Sequence, residues 1–361
     1  MARRAWFRAV FGFDEGASYA TNQSHFKMEG DVMVCGDRRF HVGSFETPSL
    51  QVLRERVREA SPRSGEEGLS FTHMAAPTGV GPLHEDPAND GAVFQAASQF
   101  NCLEMVGPGV SPRRGITRYI DDNTQGPKCA LACPAGTAYR NYRCLAGAGQ
   151  GGAAQIDCLS GVGAIVGNAK DAIWTMSNGY SLPKTKKSMG KLGARLEADP
   201  TLVARAEEAL RVGVQWDTEV ECRSGHRVCQ VYASAVPVAY TKSTPSVDWA
   251  PFARLVLRGA YDATLCVARC LAAQRPTGER VTVYLTSLGG GAFGNRSHWI
   301  GEAITAALEK HREAPLDVVL IHYGTRVPSG SWHASVASRF PERAARSGAR
   351  CSGAAAAATA K

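Results

Sequence analysis

The stretch VTVYLTSLGGGAFGNRSHWI, residues 281–300, carries the strongest structural pattern in the chain. Its first part, Val281 to Leu285, is apolar and rich in β-branched residues and predicts a strand, and a helix is predicted to begin near Ser297. The connecting segment, Ser287 to Asn295, contains three consecutive glycines from Gly289 onward. Glycine lets a backbone approach an anion closely, and the next helix directs its positive N-terminal end to the same place. We therefore predict a phosphate-binding loop.

This loop also satisfies the GxGxxG pattern of dinucleotide-binding folds through Gly289, Gly291 and Gly294. In those folds the loop follows the first strand, and an acidic residue about 20 positions later binds a ribose. Here the loop lies near the end of the chain, with one predicted strand after it. The order of elements therefore argues against a Rossmann dinucleotide site.

Strands and helices alternate along the rest of the chain. Apolar runs predict further strands at Phe40–Val42, Ala92–Gln99, Val228–Tyr240 and Leu316–Tyr323. Helical spacing predicts helices from Leu50, over Lys128–Tyr139, from Asp199-Pro200, and over Trp249–Leu271 and Trp299–Leu308. Strands separated by helices form a parallel or mixed sheet with helices on both faces. The predicted fold class is α/β, with three layers (α/β/α), a mixed central sheet and an insertion.

The 361 residues, 44% of them hydrophobic, suffice for one large domain. We expect an N-terminal extension over 1–30, the domain over 31–335 with an insertion at about 145–227, and a disordered basic and Ala-rich tail over 336–361. Charge or glycine interrupts every apolar stretch before the roughly 20 residues that a membrane helix needs, so no membrane partner is expected.

The formal net charge is +8, which first suggests a nucleic-acid partner. The first eight residues contribute +3 and the last 23 contribute +4, so the remainder carries about +1. Such a body is too weakly charged for a general phosphate-binding surface, and no nucleic-acid partner is expected.

The eleven cysteines include no CxxC pair, and the nine histidines show no HxH or HExxH spacing. We therefore predict free, mostly buried thiols, no metal and no cofactor. Free thiols are typical of a reducing compartment, so a cytoplasmic location is expected, with a nuclear one left open.

Two further segments carry candidate functional groups. In the first, Ile120 to Tyr142, five polar residues from Asp121 to Gln125 precede a helix of small residues, which suits a phosphate or a polarised water. An ordinary helix N-cap explains the same pattern. In the second, Gly91 to Met105, the amides and hydroxyl of Gln95, Ser98, Gln99 and Asn101 cluster where a strand ends. They suit ribose hydroxyls or a water, and equally the satisfaction of a buried strand end.

In this order the segments resemble those of a macrodomain, the ADP-ribose-binding α/β fold. AASQFN (Ala96–Asn101) resembles its strand-terminal Ala-Ala-Asn element, and DNTQGPKCALA (122–132) its glycine-containing loop and helix. VYASAVPVAY (231–240), LRGAYDATLCVA (257–268) and the glycine loop resemble its later elements. The resemblance covers about Phe40 to Gly324. The chain resembles a divergent branch of macrodomains that includes bacterial effector enzymes, and its layout is somewhat similar to that of poly(ADP-ribose) glycohydrolases.

The resemblance implies residue roles, with the diphosphate held between two amide-lined loops. Asp121 and Asp122 would stabilise an oxocarbenium-like state and move protons, and Asn101 would hold a hydroxyl or water. The implied ligand-binding residues are Phe45 and Glu46 on the adenine side, Gln99, Thr124, Gln125 and Gly126, and Leu288, Gly289, Gly290, Gly291, Ala292, Phe293, Gly294 and Asn295.

The resemblance leaves several functions open. The first is a hydrolase that removes ADP-ribose from modified proteins, with ubiquitin among the possible substrates, and the second is a reader that binds ADP-ribose without cleaving it. A third is an enzyme acting on free ADP-ribose derivatives. Two acids beside one loop favour the hydrolase, because a reader needs no carboxylate near the scissile bond. Ser-His-Asp chemistry is disfavoured because no GxSxG motif occurs.

Overall fold

The computed structural model describes residues 5–60, 68–328 and 331–342. Its strands are β1 (Lys27–Glu29), β2 (Val32–Cys35), β3 (Arg38–His41), β4 (Ser44–Glu46), β5 (Ser70–Ala75), β6 (Val93–Ala97), β7 (Trp174–Ser177), β8 (Tyr180–Pro183), β9 (Gly213–Glu219), β10 (Arg227–Ala233), β11 (Val281–Thr286) and β12 (Leu316–His322). Its α-helices are α1 (Ala5–Phe11), α2 (Tyr19–Ser24), α3 (Leu50–Glu59), α4 (Gly81–Glu85), α5 (Gln125–Ala132), α6 (Pro134–Tyr142), α7 (Ser160–Val166), α8 (Ser188–Ala198), α9 (Pro200–Ala209), α10 (Ser246–Gln274), α11 (Ser297–Lys310) and α12 (Ser331–Ala337).

Seven strands form the central sheet, in the order β4-β9-β10-β6-β11-β12-β5. The pairs from β10 to β5 are parallel, whereas β9 is antiparallel to both of its neighbours. This arrangement confirms the predicted α/β fold with a mixed central sheet. Because β10, β6, β11 and β12 run in one direction, their carboxyl ends meet at the same edge of the sheet.

Adjacent side chains of β6 show that helices cover both faces of this sheet. Phe94 stacks on His84 of α4 at a ring-centroid distance of 3.7 Å. Gln95 lies on the opposite face and its Nε2 donates to Thr264 Oγ1 of α10 at 2.9 Å. The long helix α10 also packs against α3, α8 and α11. The molecule therefore has the predicted three layers.

The N-terminal residues are integrated into a second apolar cluster. Phe7 and Phe11 of α1 pack edge-on against Phe26, whose ring stacks on Tyr142 at 5.2 Å. Glu15 accepts backbone N–H bonds from residues 116 and 117 at 2.8 and 2.7 Å. Residues 5–30 of the predicted extension thus pack on the domain. Their aromatic side chains form an apolar face, which composition alone did not reveal.

The predicted insertion at about 145–227 contains more than one kind of element. Its last strand, β9, belongs to the central sheet. Its hairpin β7-β8 forms a separate two-stranded sheet, and α8 packs on α10. Helix α9 starts where Asp199-Pro200 predicts, with the Asp199 carboxylate accepting from Leu202 N at 2.9 Å.

Several predicted boundaries differ from the observed ones by a few residues, and three differences are larger. The single helix over Lys128–Tyr139 is two helices, because Pro134 begins a new one after Cys133. The strand over Val228–Tyr240 ends at Ala233. In the predicted tail, α12 ends at Ala337 and Phe340 is buried, while residues 343–361 lie outside the described residues.

The ten described cysteines are all free, and eight of them are buried. This confirms the predicted thiols for that part of the chain, while the compartment remains a prediction. Among the helices of the described residues, none is both long and apolar enough to cross a membrane.

An ion-pair network around the buried carboxylate of Asp262 joins three helices of one layer. The Asp262 carboxylate of α10 accepts from Arg54 at 2.7 Å, Lys310 at 2.6 Å and His311 at 2.8 Å. Burial alone would raise the pKa of Asp262, but these donors outweigh it and hold that pKa well below its usual range. Cys266 lies beside the network, and with Asp262 and His311 it forms a group that could hold a metal ion. The positive charges of Arg54 and Lys310 already compensate the Asp262 carboxylate.

We expect Asp262→Ala to lower the free energy of unfolding by about 1–3 kcal/mol, because the buried His311 ring loses its acceptor, whereas Arg54 keeps its pairs with Glu207 and Glu208. Because the folded-state pKa is depressed, this contribution is present above the ordinary aspartate pKa of about 4 and is lost as pH falls below it. Urea unfolding at several pH values measures both effects. Glu302→Ala is the control, since it removes an exposed pair with Arg254 between α10 and α11 and should cost less than about 1 kcal/mol. Equal losses in the two variants would contradict the assignment.

Candidate functional site

A cleft of about 450 Å³ lies at the carboxyl edge of β6, β10, β11 and β12. Its walls are the glycine loop after β11, the start of α5, the turn after β6 and a group of aromatic side chains. It brings together Gln99, Asp122, Thr124, Gln125, Gly126, Leu288, Gly289, Gly291, Ala292 and Phe293, all of which the sequence singled out. Ligand sites in α/β folds commonly form at this edge of the sheet.

The glycine loop is locked against the end of β10. Gly289 has a φ of +66°, and a Cβ there would lie 2.5 Å from the Ala235 Cβ, so the position requires glycine. Asn295 Nδ2 donates to Val236 O at 2.9 Å, and Asn295 N donates to Gly289 O at 2.9 Å. Asn295 therefore holds the loop in place from behind and does not line the cleft.

Three successive amides of this loop are available to a ligand. The backbone N–H groups of Gly291, Ala292 and Phe293 donate to no acceptor within the described part of the chain. All three residues line the cleft. Consecutive amides in a turn can form a concave anion site, so the phosphate-binding role of this loop stays a prediction.

The start of α5 forms the facing wall. Gln125 Oε1 accepts from Ala97 N and its Nε2 donates to Gln95 O, both at 2.7 Å, so this side chain fastens α5 to the end of β6. A Cβ at Gly126 would lie 1.8 Å from Ala97 O. This close approach directs the positive N-terminal end of α5 into the cleft.

The turn after β6 presents a buried carboxyl group that sequence reasoning missed. Glu104 is 3% exposed, lines the cleft, and its Oε1 has no hydrogen-bond partner among the described residues. Burial raises the pKa of Glu104 well above its usual range, and the charge of Asp122 raises it further, while Arg140 and Ser98 oppose these effects. Such a carboxyl group can keep its proton at neutral pH and donate it.

One feature of the sequence could have identified Glu104. It is the only charged residue between Gly91 and Met105, a segment predicted to be a strand and its buried end. A lone acid in an otherwise uncharged, buried segment is unusual, because burial of a carboxylate is costly.

Amide side chains fix the backbone of this turn. Cys102 adopts a left-handed φ of 61°. Asn101 Oδ1 accepts from Leu103 N at 3.2 Å, and Gln99 Oε1 accepts from Met105 N at 2.7 Å. Asn101, predicted to act on substrate, is fully buried, makes this supporting contact and is not among the residues that line the cleft.

The insertion supports the same turn. Asn101 Nδ2 donates to Gln155 Oε1 at 3.1 Å, and Gln155 Nε2 donates to Asn178 Oδ1 at 2.9 Å. Tyr180 of β8 donates from its hydroxyl to Met105 O at 2.5 Å. The insertion therefore belongs to the site and helps to position Glu104.

Aromatic rings form an apolar wall beside the glycine loop. The ring centroid of Tyr180 lies 5.1 Å from that of Tyr240 and 5.4 Å from that of Phe293. All three rings line the cleft. Their faces suit a ribose ring or a nucleobase.

Several predicted residues lie near the cleft without lining it. Asp121 is exposed at the end of a 3₁₀ turn, 4.0 Å from Arg118. A Cβ at Gly290 would face Ile300 at 3.1 Å, and Gly294 lies against Ala239. The structure thus separates Asp121 from Asp122, although they are adjacent in sequence.

The residues predicted on the adenine side lie elsewhere. Phe45 packs on Tyr139, and Glu46 forms a two-bond ion pair with Arg56, at 2.5 and 2.9 Å, and accepts from Trp216. Glu46 lines a separate hollow of about 630 Å³. Strands β9 and β10 separate β4 from β6, and for this reason the two residues do not reach the cleft.

None of the described residues that line the cleft is lysine or arginine. Its acidic side chains are those of Glu104 and Asp122. An anion in this cleft would be held by backbone amides and helix dipole rather than by cationic side chains.

No known family model matches the chain, and no curated protein sequence matches it. Among solved structures, it is similar to the poly(ADP-ribose) glycohydrolase from Thermomonospora curvata, with 15% identity, a TM-score of 0.45, and coverage of 94% of this chain and 99% of that one. It is also similar to the poly(ADP-ribose) glycohydrolase from Deinococcus radiodurans in complex with ADP-ribose, with 10% identity, a TM-score of 0.40, and coverage of 82% and 93%.

Proposed function

We propose that this protein binds ADP-ribose and hydrolyses the glycosidic bond that joins ADP-ribose to a modified protein. The observation that carries the proposal is the buried carboxyl group of Glu104, which faces a cleft between two amide-rich walls. The free amides of the glycine loop and the N-terminal end of α5 suit the two phosphates of a diphosphate. The rings of Tyr180, Tyr240 and Phe293 suit its sugar and base.

In this proposal Glu104 is the proton donor. Its carboxyl proton passes to the leaving-group oxygen as the bond from C1 of the ribose to that oxygen breaks. The ribose then has oxocarbenium-like charge, which the carboxylates of Glu104 and Asp122 stabilise. Water adds to C1, and its proton returns to Glu104, which restores the starting state.

The proposed function is tested with proteins that each carry ADP-ribose on one residue type: arginine, glutamate, aspartate or serine. Release of free ADP-ribose from at least one member, with loss of release in Glu104→Gln, supports the hydrolase. Measurable binding of ADP-ribose by calorimetry, with release from no member of the panel, would identify a reader instead. Absence of both would reject the assignment of the cleft.

We expect Asp122→Asn to move the alkaline limb of the kcat profile to lower pH. The charge of Asp122 raises the pKa of Glu104, so its removal lets Glu104 lose the proton that it must donate at a lower pH. Profiles of kcat against pH for the variant and the parent measure the shift. Asp121→Asn is the matched control, because that neighbour is exposed and lies outside the cleft. A limb that shifts equally in both variants, or in neither, would contradict this role.

A further inference from the structure

The buried arginine nearest the turn that carries Glu104 is Arg140 of α6. Arg140 is 1% exposed, and within the described part of the chain no carboxylate lies in ion-pair contact with it. A buried guanidinium without a paired carboxylate is costly, so its retention calls for a compensating role. Its surroundings identify that role.

Three polar bonds and one ring hold the Arg140 guanidinium. Its Nε donates to Cys102 O at 3.1 Å, and its two terminal nitrogens donate to Gln215 Oε1 at 3.2 Å and Thr137 Oγ1 at 3.0 Å. The group lies 3.6 Å from the centre of the Tyr232 ring. Helix α6 and strands β9 and β10 thus aim it at the turn after β6.

The bond to Cys102 O is the one that bears on the site. Cys102 has a left-handed φ of 61°, which side chains other than glycine rarely adopt, so its carbonyl needs a fixed partner to keep this direction. Glu104 follows two residues later and is also buried, and the positive charge of Arg140 opposes the effect of burial on its pKa. Removal of Arg140 would therefore release the turn and remove a positive charge from the surroundings of Glu104.

We propose that Arg140 is a positioning residue for Glu104: it fixes the 101–104 turn through Cys102 O and adds a buried positive charge to the surroundings of the acid. The inference rests on the proposed function for its kinetic consequence. Its structural consequence, the ionisation of Glu104, does not depend on any activity.

The test compares Arg140→Lys, which keeps the positive charge but not the planar guanidinium group, with Arg140→Met, which keeps neither. The titration of Glu104 is followed by NMR of the ¹³C-labelled carboxyl group, assigned by its loss in Glu104→Gln. We expect Glu104 to titrate at higher pH in Arg140→Met and close to the parent in Arg140→Lys, since a nearby positive charge favours the carboxylate. Arg140→Gln, which is neutral and polar, replaces Arg140→Met if that variant does not fold.

Kinetics give the second readout. Both variants should lose about 10- to 100-fold in kcat with little change in KM. The alkaline limb of the kcat profile should move to higher pH in Arg140→Met and not in Arg140→Lys. Arg195→Met is the matched control, because Arg195 also donates to a backbone carbonyl, Val166 O at 3.0 Å, but outside the site, and should change neither readout.

An unchanged Glu104 titration in the neutral variant would overturn the proposal. So would an equal shift in Arg195→Met. If the parent protein releases ADP-ribose from no substrate, the proposed function fails, and the titration still decides the role of Arg140.

Discussion

Replacement of Glu104 by glutamine should lower kcat by about two to four orders of magnitude and leave ADP-ribose affinity within about threefold of the parent. Glutamine has nearly the same shape but carries no proton that it can give to a leaving group. Single-turnover release of ADP-ribose measures the chemical step, and calorimetry measures binding. Retained turnover in this variant would remove Glu104 from the mechanism.

The same variant should be at least as stable as the parent at pH 7. Burial raises the folded-state pKa of Glu104, so as pH rises above the usual glutamate pKa of about 4.3, ionisation of the unfolded chain lowers the free energy of unfolding. Glutamine does not ionise and removes this cost. A gain or no change in Tm, together with lost turnover, is expected of a functional group held at the expense of stability. A large fall in Tm would show that Glu104 is mainly structural.

Gly291→Glu should lower ADP-ribose affinity by about 100-fold or more. A Cβ at Gly291 would contact no heavy atom within 4 Å, and this exposed residue lines the cleft beside the free amides, so the new carboxylate meets the phosphates without disturbing the fold. Like charges placed together in a binding site cost several kcal/mol. Calorimetric titration with ADP-ribose measures the loss.

Gly291→Ala is the matched control and should bind ADP-ribose as the parent does. The neighbouring Gly290 is a poorer choice for this test, because a Cβ there would press on Ile300 of α11 and confuse a binding effect with a packing effect. If Gly291→Glu binds as tightly as Gly291→Ala, the glycine loop does not hold the diphosphate.

The elements around the glycine loop could be predicted from sequence because the apolar pattern of each one indicates a single type of secondary structure. The run from Val281, the loop and α11 follow one another with little ambiguity, and α10 repeats its apolar face over eight turns. The strand β9 was missed, since Gln215, Asp217 and Thr218 interrupt its apolar pattern. Gln215 is buried there because it accepts from Arg140, a contact between residues far apart in the chain.

The residues of the candidate site also divide into those that local sequence patterns predict and those that depend on non-local contacts. The residues of the glycine loop and of the start of α5 were predicted because local spacing determines them. Glu104 was not singled out and Asn101 was predicted to be catalytic, because which of these side chains lines the cleft depends on the left-handed turn at Cys102 and on Gln155, 54 residues from Asn101. Such non-local contacts leave no periodic trace in the sequence.

The absence of lysine and arginine from the described lining of the cleft has a consequence for how binding depends on salt. Proteins that hold phosphates with cationic side chains release counterions when they bind, so their affinity falls steeply with ionic strength. Backbone amides at fixed positions can match the spacing of two phosphates, and the carboxylate of Asp122 would repel an anion that extends toward it. Under the proposed function, a diphosphate held in this way should therefore keep its affinity over a range of ionic strengths in which a site lined by cationic side chains loses affinity.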